Sequence, residues 1–390
     1  MTGKLRAGWL PLILLSAVGM SGSPTLPIWL AGAAERFQLT SSQTGLMASL
    51  ELGCLAFASI VWAALARGTR GIAWLIFALA IAVAGNVASF LATDAPILVA
   101  ARAVCGLCYG VTLAEITRRA ARMPEPHRVF ALQQLGLVLF VSAFFATVPS
   151  AIATLGPFAP FLYNGVLSAV ALISLVWLPT SAEAPATLAA DTQRAASRRM
   201  ASAGVAMGLL ALGLTYMAQG ALWTYITDAA GHSGVGLDRL SRILAIGAIM
   251  NLAVPITAER VGLRWGRAVP LLVGFAGITT SILLLSAGLG ATAFAAGAIG
   301  LNLFLLFLTP FLLGTLAALD ASGRSASAGP AFFTIGGAVG PAVAGVILGG
   351  AGMVALGLLM AGAAMGALGL ALAAITRVPK PGAPVEALPA

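Results

Sequence analysis

Arg102, Gly106 and Gly110 recur every four residues in an apolar run that starts near Ala95 and ends at Arg118. In a helix, this spacing places the guanidinium group and the two glycines on one face. An arginine that faces lipid costs on the order of 3 kcal/mol, and the glycines allow a neighbouring helix to approach closely enough to shield it. We therefore expect Arg102 to face a protein partner or a wet cavity. The alternative is that it lies high enough to reach the membrane surface.

Glu51 is the one acidic residue that we place deep inside an apolar run. A buried carboxyl group is either protonated or held by a cation, and a carrier that couples to protons has to exchange these two states. We predict that Glu51 carries a coupling proton and that Arg102 competes with this proton for the carboxylate. The alternative is a structural role, either as a permanent Glu51–Arg102 pair or as a glutamate that stays protonated and packed.

Membrane helices must position these residues. The chain has 390 residues, 60% of them hydrophobic and 8% charged, with a mean hydropathy of +1.00, which is outside the range of water-soluble domains. Runs of about 20 apolar residues mark candidate spans. They predict twelve helices, near 8–32, 41–66, 71–92, 96–118, 128–153, 158–179, 201–228, 237–258, 268–289, 291–317, 326–350 and 352–376.

The longest polar stretch divides these spans into two groups of six. We predict an N-terminal six-helix bundle over 1–180, a cytoplasmic linker over 181–199, a second six-helix bundle over 200–378 and a disordered tail over 379–390. The sequence thus predicts an all-α integral membrane protein with two pseudo-symmetric halves.

The net charge of +9 does not indicate nucleic-acid binding, because the cations lie in short connectors between apolar runs. With the N-terminus inside, 17 of the 21 Lys and Arg residues fall on the inner side and three on the outer side. This asymmetry predicts that both termini are cytoplasmic and that the protein is a multi-pass plasma-membrane protein. We expect a monomer whose partners are the bilayer, protons and a small-molecule substrate.

Cys54, Cys105 and Cys108 all lie in apolar runs, which disfavours a disulfide framework. Cys105-x-x-Cys108 has neither histidine nor acidic neighbours, so we predict no metal site and no cofactor there. The only histidines, His127 and His232, fall in connectors, and the sequence contains no nucleotide-binding loop. These observations argue against a membrane enzyme.

Three features recur in the two halves in the same order. Trp29 corresponds to Trp223, and the connector Arg67-Gly68-Thr-Arg70 corresponds to Arg264-Trp-Gly266-Arg267. Glu125 and Arg128 likewise correspond to Asp320 and Arg324. An internal repeat of this kind predicts a substrate site at the membrane midplane, between the halves.

These motifs resemble those of the major facilitator superfamily over essentially the whole chain. Arg102-x-x-x-Gly106-x-x-x-Gly110 resembles its motif on the fourth helix, and residues 259–267 resemble its basic, glycine-rich loop motif. The first-half loop around Arg67 and Arg70 lacks the usual aspartate, whereas the stretch ending in Gly340-Pro341 is similar to the family's glycine-proline patterns. The resemblance implies the twelve-helix major facilitator fold and a drug- or metabolite-efflux type of secondary transporter.

Polar residues in the predicted cavity-lining spans are candidates for substrate binding, although helix packing can also explain each of them. They are Ser23, Thr25, Tyr109, Gln133, Gln134, Tyr216, Gln219, Trp223, Asn251 and Asn302. Charged residues in the inner connectors are candidates for a cytoplasmic gate, namely Arg67, Arg70, Glu115, Arg128, Arg260, Arg267, Asp320 and Arg324.

The resulting hypothesis is proton-coupled export of a small, partly apolar molecule by an antiporter. Proton-coupled uptake, and a non-transporting receptor or assembly factor of the same fold, remain open.

Overall fold

The computed structural model describes residues 9–65, 71–120, 123, 126–178, 203–262, 264, 266–320 and 324–378. The first part of the chain forms α1 (Trp9–Phe37), α2 (Ser41–Leu65), α3 (Gly71–Phe90), α4 (Ala95–Ala120), α5 (Pro126–Leu155) and α6 (Pro160–Ser174). The second part forms α7 (Ala203–Thr224), α8 (Ile226–His232), α9 (Leu237–Met250), α10 (Val254–Val261), α11 (Ala268–Ser286), α12 (Ala291–Leu319) and α13 (Arg324–Ile375). Within the described ranges, eleven stretches are long and apolar enough to cross a membrane.

The eighth predicted span differs from a continuous helix. A turn of 3₁₀ helix at Asn251–Ala253 separates α9 from α10, and the Asn251 carbonyl accepts from the N–H of Val254. Pro255 occupies the position whose N–H would complete the α-helical bond to that carbonyl, and proline has no such donor. The break therefore follows from the position of one proline.

The last two predicted spans are joined in α13. This helix is interrupted at Gly352, where φ is 82° and ψ is −179°, a conformation that glycine adopts far more readily than other residues. The predicted linker and C-terminal tail lie outside the described residues, so the predicted domain boundaries stay predictions.

The helices pack mainly within two sets. Helices α1 to α6 contact one another, α4 lies against α1, α2 and α3, and α7 to α13 form the second set. The two sets meet along α5 with α9 and along α2 with α13. Buried aromatic and aliphatic side chains of α5, among them Phe144, Phe145 and Val148, belong to the same apolar core as residues of α7, α9 and α12. The α5–α9 contact is therefore a packed apolar interface.

Candidate functional site

The glycine face of α4 packs against α2. A Cβ atom on Gly106 would overlap the carbonyl oxygen of Glu51, and one on Gly110 would overlap the carbonyl oxygen of Leu55. The Ser59 hydroxyl donates to the Gly110 carbonyl at 3.1 Å, which adds a hydrogen bond to this approach. The absence of side chains on the α4 face thus allows the two backbones to meet and brings Glu51 beside Arg102.

Arg102 is buried, with 1% of the side chain exposed. Its Nε donates to Ser89 Oγ at 3.0 Å, and its Nη2 donates to Asn86 Oδ1 at 3.1 Å and to Cys105 Sγ at 2.9 Å. The guanidinium carbon also lies 4.6 Å from the centre of the Phe161 ring. Arg102 therefore faces neighbouring helices, and most of its hydrogen bonds are made to groups other than Glu51.

The Glu51 carboxyl group makes only one long contact with this cation. Its Oε1 lies 3.5 Å from Arg102 Nη1, at the outer limit for a hydrogen bond. Its Oε2 is buried and has no hydrogen-bond partner among the described residues. Gly22 of α1 provides the space for the carboxyl group, because a Cβ there would lie 3.3 Å from Oε1. The geometry leaves one oxygen of Glu51 free to hold a proton.

Asn86 and Ser89 were missed by reasoning from the sequence, although both contact Arg102. They stand one turn apart in the otherwise apolar sequence of α3. This spacing is a signal that could have found them, because two polar residues on one face of an apolar helix indicate a polar partner.

Hydrogen bonds and close packing join the two halves at one end of the molecule. Hydrogen bonds join Ser42 Oγ to the Gly345 carbonyl at 3.4 Å and the Ala342 N–H to Ser49 Oγ at 2.9 Å. A Cβ atom on Gly45 would overlap the Pro341 carbonyl oxygen. We call the end that contains the connections 38–40 and 233–236 the closed end.

One turn beyond Ser49, open space replaces the close approach of α2 to α13. A Cβ built on Gly53 of α2, or on Gly337 of α13, would meet no atom within 4 Å. The two helices therefore touch near the closed end and leave room for a side chain at Gly53 and at Gly337. We call the opposite end, where α10 ends, the open end.

A third hydrogen bond at the closed end involves Tyr225, whose hydroxyl donates to the Ser41 carbonyl at 2.5 Å. Burial, with a smaller contribution from the nearby Asp228 carboxylate, raises the pKa of the Tyr225 phenol. The phenol therefore stays protonated and remains a donor throughout the physiological pH range.

A fourth hydrogen bond between the halves depends on a proline in α1. In a regular helix the N–H of residue 27 would donate to the Ser23 carbonyl, but Pro27 has no N–H. The indole Nε1 of Trp223, in the other half, donates to this carbonyl at 2.9 Å. Pro27 thus leaves the Ser23 carbonyl without its usual donor, and Trp223, 200 positions further along the chain, donates to it instead.

Three cavities follow one another from the open end to the closed end. The α10–α12 groove, about 620 Å³, is lined by residues that include Glu259, Arg267, Leu306 and Thr309. The central cavity, about 120 Å³, lies between the halves and is lined by α1, α5, α7, α9, the 3₁₀ turn and α12. The closed-end pocket, about 250 Å³, is lined by residues of α1, α5, α8 and α9 and by Pro157 and Val235.

Residues on one face of the same helix line neighbouring cavities. Asn302 of α12 lines the central cavity, and Leu306 and Thr309 on the same face line the groove. On α9, Leu244 lines the central cavity, and Leu240, one turn away, lines the closed-end pocket. The cavities therefore lie in line along α9, α10 and α12.

No model of a known protein family matches the sequence, and no curated protein matches it significantly. Solved structures do match. The chain is similar to the nucleoside transporter NupG, with a TM-score of 0.72 and 15% identity, over 97% of this chain and 99% of that chain. It is also similar to a bacterial homologue of the human lysosomal transporter Spinster in an inward-facing, occupied conformation, with a TM-score of 0.65 and 15% identity, over 97% and 95% of the chains. The chain has the major facilitator fold.

Within the major facilitator fold, five of the predicted substrate-binding residues lie at or beside the groove and the central cavity. Trp223, Asn251 and Asn302 line the central cavity. Gln219 Nε2 donates to Asn302 Oδ1 at 3.4 Å. Tyr216 shares a hydrogen bond of 2.9 Å with Thr309, which lines the groove.

The other predicted substrate-binding residues lie elsewhere in the fold. We call Arg102 and the residues that accept its hydrogen bonds, Asn86, Ser89 and Cys105, the Arg102 cluster. Tyr109 is buried beside this cluster, and Asn86 Nδ2 donates to its hydroxyl at 2.9 Å. Thr25 accepts from Asn164 of α6 at 3.0 Å, and Gln133 donates to the Leu12 carbonyl at 3.5 Å. None of these three, nor Ser23 or Gln134, both exposed, is among the residues that line the central cavity.

The predicted gate residues do not form one cluster among the described residues. Glu115 is buried and accepts from Arg118, Arg119 and Trp62, with Nη2 of Arg118 at 2.6 Å from Oε1. Asp320 Oδ2 accepts from the Ser325 N–H at 3.1 Å. Arg260 is exposed, and Arg267 lines the groove. Arg67 and Arg70 lie outside the described residues, and the side chains of Arg128 and Arg324 are not described either.

The predicted glycine-proline residues have separate contacts. A Cβ on Gly340 would overlap the Met217 carbonyl oxygen of α7, so Gly340 permits close packing within the second half. Pro341 presents its carbonyl to Gly45 of α2 in the first half. The pair therefore lies where α13 contacts both halves.

Proposed function

We propose that this protein is a secondary transporter that exports a small, partly apolar molecule by alternating access. The observation that carries the proposal is the contact between α2 and α13, where Gly45 and Ser49 pack closely near the closed end, whereas an added Cβ on Gly53 or Gly337 would meet no atom within 4 Å. Two rigid halves joined at one end, with cavities reaching the other end, can rock to expose a central site to each side in turn. The break at Gly352 supports twelve spans in two six-helix bundles, since it divides α13 into two.

Helix α2 connects proton binding to this movement. Its Glu51 lies toward Arg102 of α4, whereas Gly45 and Ser49 contact α13 at the closed end. When Glu51 is deprotonated, its carboxylate is drawn to the Arg102 guanidinium, and when it is protonated this attraction is lost. We infer that the proton on Glu51 sets the position of α2 against α4 and thereby the strength of the closed-end contact.

The open end is assigned to the cytoplasm of a plasma-membrane protein, because the excess of Lys and Arg falls on that side. A reporter fused after Ala390 tests this orientation. We expect the signal of a cytoplasmic C-terminus, and an exterior signal would overturn the topology.

Transport is tested in proteoliposomes that contain a pH-sensitive dye and carry an imposed pH gradient. We expect the addition of a small neutral solute to move protons in the direction opposite to the solute, and only in vesicles that contain the protein. Proton movement in the same direction as the solute would instead identify uptake by symport. Solute binding without any solute or proton movement would indicate a receptor and would refute the transporter proposal.

A further inference from the structure

The polar groups at the central cavity have a defined chemical character. None of the described residues that line the central cavity is charged. Two of them, Asn251 and Asn302, carry side-chain carboxamide groups. The remaining lining is almost entirely apolar and includes Pro24, Phe145 and the ring of Trp223. A charged ligand would find no counter-ion there and would lose its hydration without compensation.

The two asparagines offer complementary hydrogen-bonding groups. Asn302 Oδ1 accepts from Gln219 Nε2, and its own amide N–H groups donate to no described residue. Asn251 Oδ1 is buried and has no partner among the described residues. The residues that line the cavity therefore hold unused amide N–H donors on Asn302 and an unused, buried acceptor, Asn251 Oδ1.

A donor and an acceptor that line one cavity match a ligand edge that carries both a carbonyl oxygen and an N–H group. Carboxamides, lactams and imide-containing heterocycles have such an edge. Their flat rings also suit a narrow cavity beside Trp223, since aromatic side chains pack well against planar ligands.

We propose that the substrate is an uncharged molecule with a carboxamide or heterocyclic lactam edge, held between Asn251 and Asn302. The proposal rests on the proposed transport function and specifies its substrate class. Asn251 lies at the 3₁₀ turn that Pro255 imposes, so the break in the eighth span is also what positions one of the two ligand-binding groups. Interrupted helices commonly supply such groups in carriers.

Two matched pairs of compounds test the charge requirement by thermal shift of the purified, full-length protein. Nicotinamide and nicotinate differ in one group, a neutral amide against a carboxylate, and uracil and orotate differ by an added carboxylate. We expect nicotinamide or uracil to raise the Tm at millimolar concentration and their charged counterparts to bind at least a hundredfold more weakly. Equal shifts by both members of a pair, or no shift by any of the four compounds, would overturn the proposal.

Variants of Asn251 test whether this residue binds the ligand. Asn251→Leu should abolish the ligand-induced shift, whereas Asn251→Gln, which keeps the carboxamide, should retain part of it. The Tm of each variant without ligand shows whether it is folded. An undiminished shift in a folded Asn251→Leu protein would remove this residue from the site.

A separate transport measurement distinguishes failure of this inference from failure of the proposed function. If nicotinamide or uracil binds but a pH gradient does not move it, the proton-coupled mechanism fails and the substrate class stands. If the pH gradient drives only the charged members, the transport function stands and the substrate class fails.

Discussion

The hydrogen bond between Trp223 and Ser23 provides a sensitive test of how the halves are locked. Trp223→Phe removes the indole N–H and keeps an aromatic ring at the cavity. Pro27→Ala acts on the same bond from the other side, since it adds an N–H that competes for the Ser23 carbonyl within α1. Both substitutions should weaken closure, although they lie in different halves.

The expected change in the closed-to-open ratio follows from the loss of one hydrogen bond, which we expect to form only while the closed end is shut. A typical intramolecular hydrogen bond contributes about 1 kcal/mol net, and about 1.4 kcal/mol corresponds to a factor of ten in an equilibrium constant. The ratio of closed to open molecules at this end should therefore fall about fivefold in either variant. Because the two substitutions disrupt the same bond, the double variant should show about the same fall as each single variant.

The assay is the rate of labelling of Gly53→Cys by a membrane-impermeant maleimide added at the closed end. Gly53 lies just beyond the α2–α13 contact, with no atom within 4 Å of an added Cβ, so a cysteine there becomes reachable from this side only when the end opens. The protein without Gly53→Cys, which keeps Cys54, Cys105 and Cys108, measures the background. Trp177→Phe is the matched control, because Trp177 is 56% exposed and lies away from the interface between the halves.

We expect labelling about five times faster in Trp223→Phe and Pro27→Ala, and an unchanged rate in Trp177→Phe. Labelling within twofold of the parent rate in both single variants would refute the role of this bond. Fully additive effects in the double variant would show that the two residues act through separate contacts.

Four further substitutions, one of them a control, test the remaining parts of the mechanism. Glu51→Gln should abolish substrate movement driven by a pH gradient while leaving ligand-induced thermal shifts intact; undiminished proton flux in vesicles would remove Glu51 from coupling. Gly106→Leu should sharply reduce the yield of folded protein, because its side chain would overlap the Glu51 backbone. Gly362→Leu is the control and should be tolerated, since a Cβ there meets no atom within 4 Å. Equal yields of the two variants in detergent extracts would contradict this reading. Tyr225→Phe should raise the labelling rate about fivefold through loss of its bond to Ser41, and combined with Trp223→Phe the two effects should multiply, which the same assay measures.

The sequence predicted the glycine face of α4 and a buried position for Arg102 from spacing and the cost of charge in lipid. It did not predict that Ser89, Asn86 and Phe161 would contact the guanidinium group. Their side chains come from α3 and α6. The spacing of Asn86 and Ser89 indicates a polar partner for that face of α3, but no pattern in an apolar span tells which neighbouring helix supplies it. In lipid every face of such a helix is tolerated.

The sequence by itself determined that the chain is a membrane protein and where most of its helices lie. This follows because backbone groups in a bilayer must be hydrogen-bonded within each span, so apolar runs of sufficient length form helices whatever their neighbours. Only the tertiary structure decided that Trp223 meets the carbonyl left free by Pro27, that Tyr109 lies beside the Arg102 cluster, and that Asn251 and Asn302 share one cavity. These contacts join residues that are far apart in the chain, and they depend on how rigid helices rotate and pack, which no local pattern encodes.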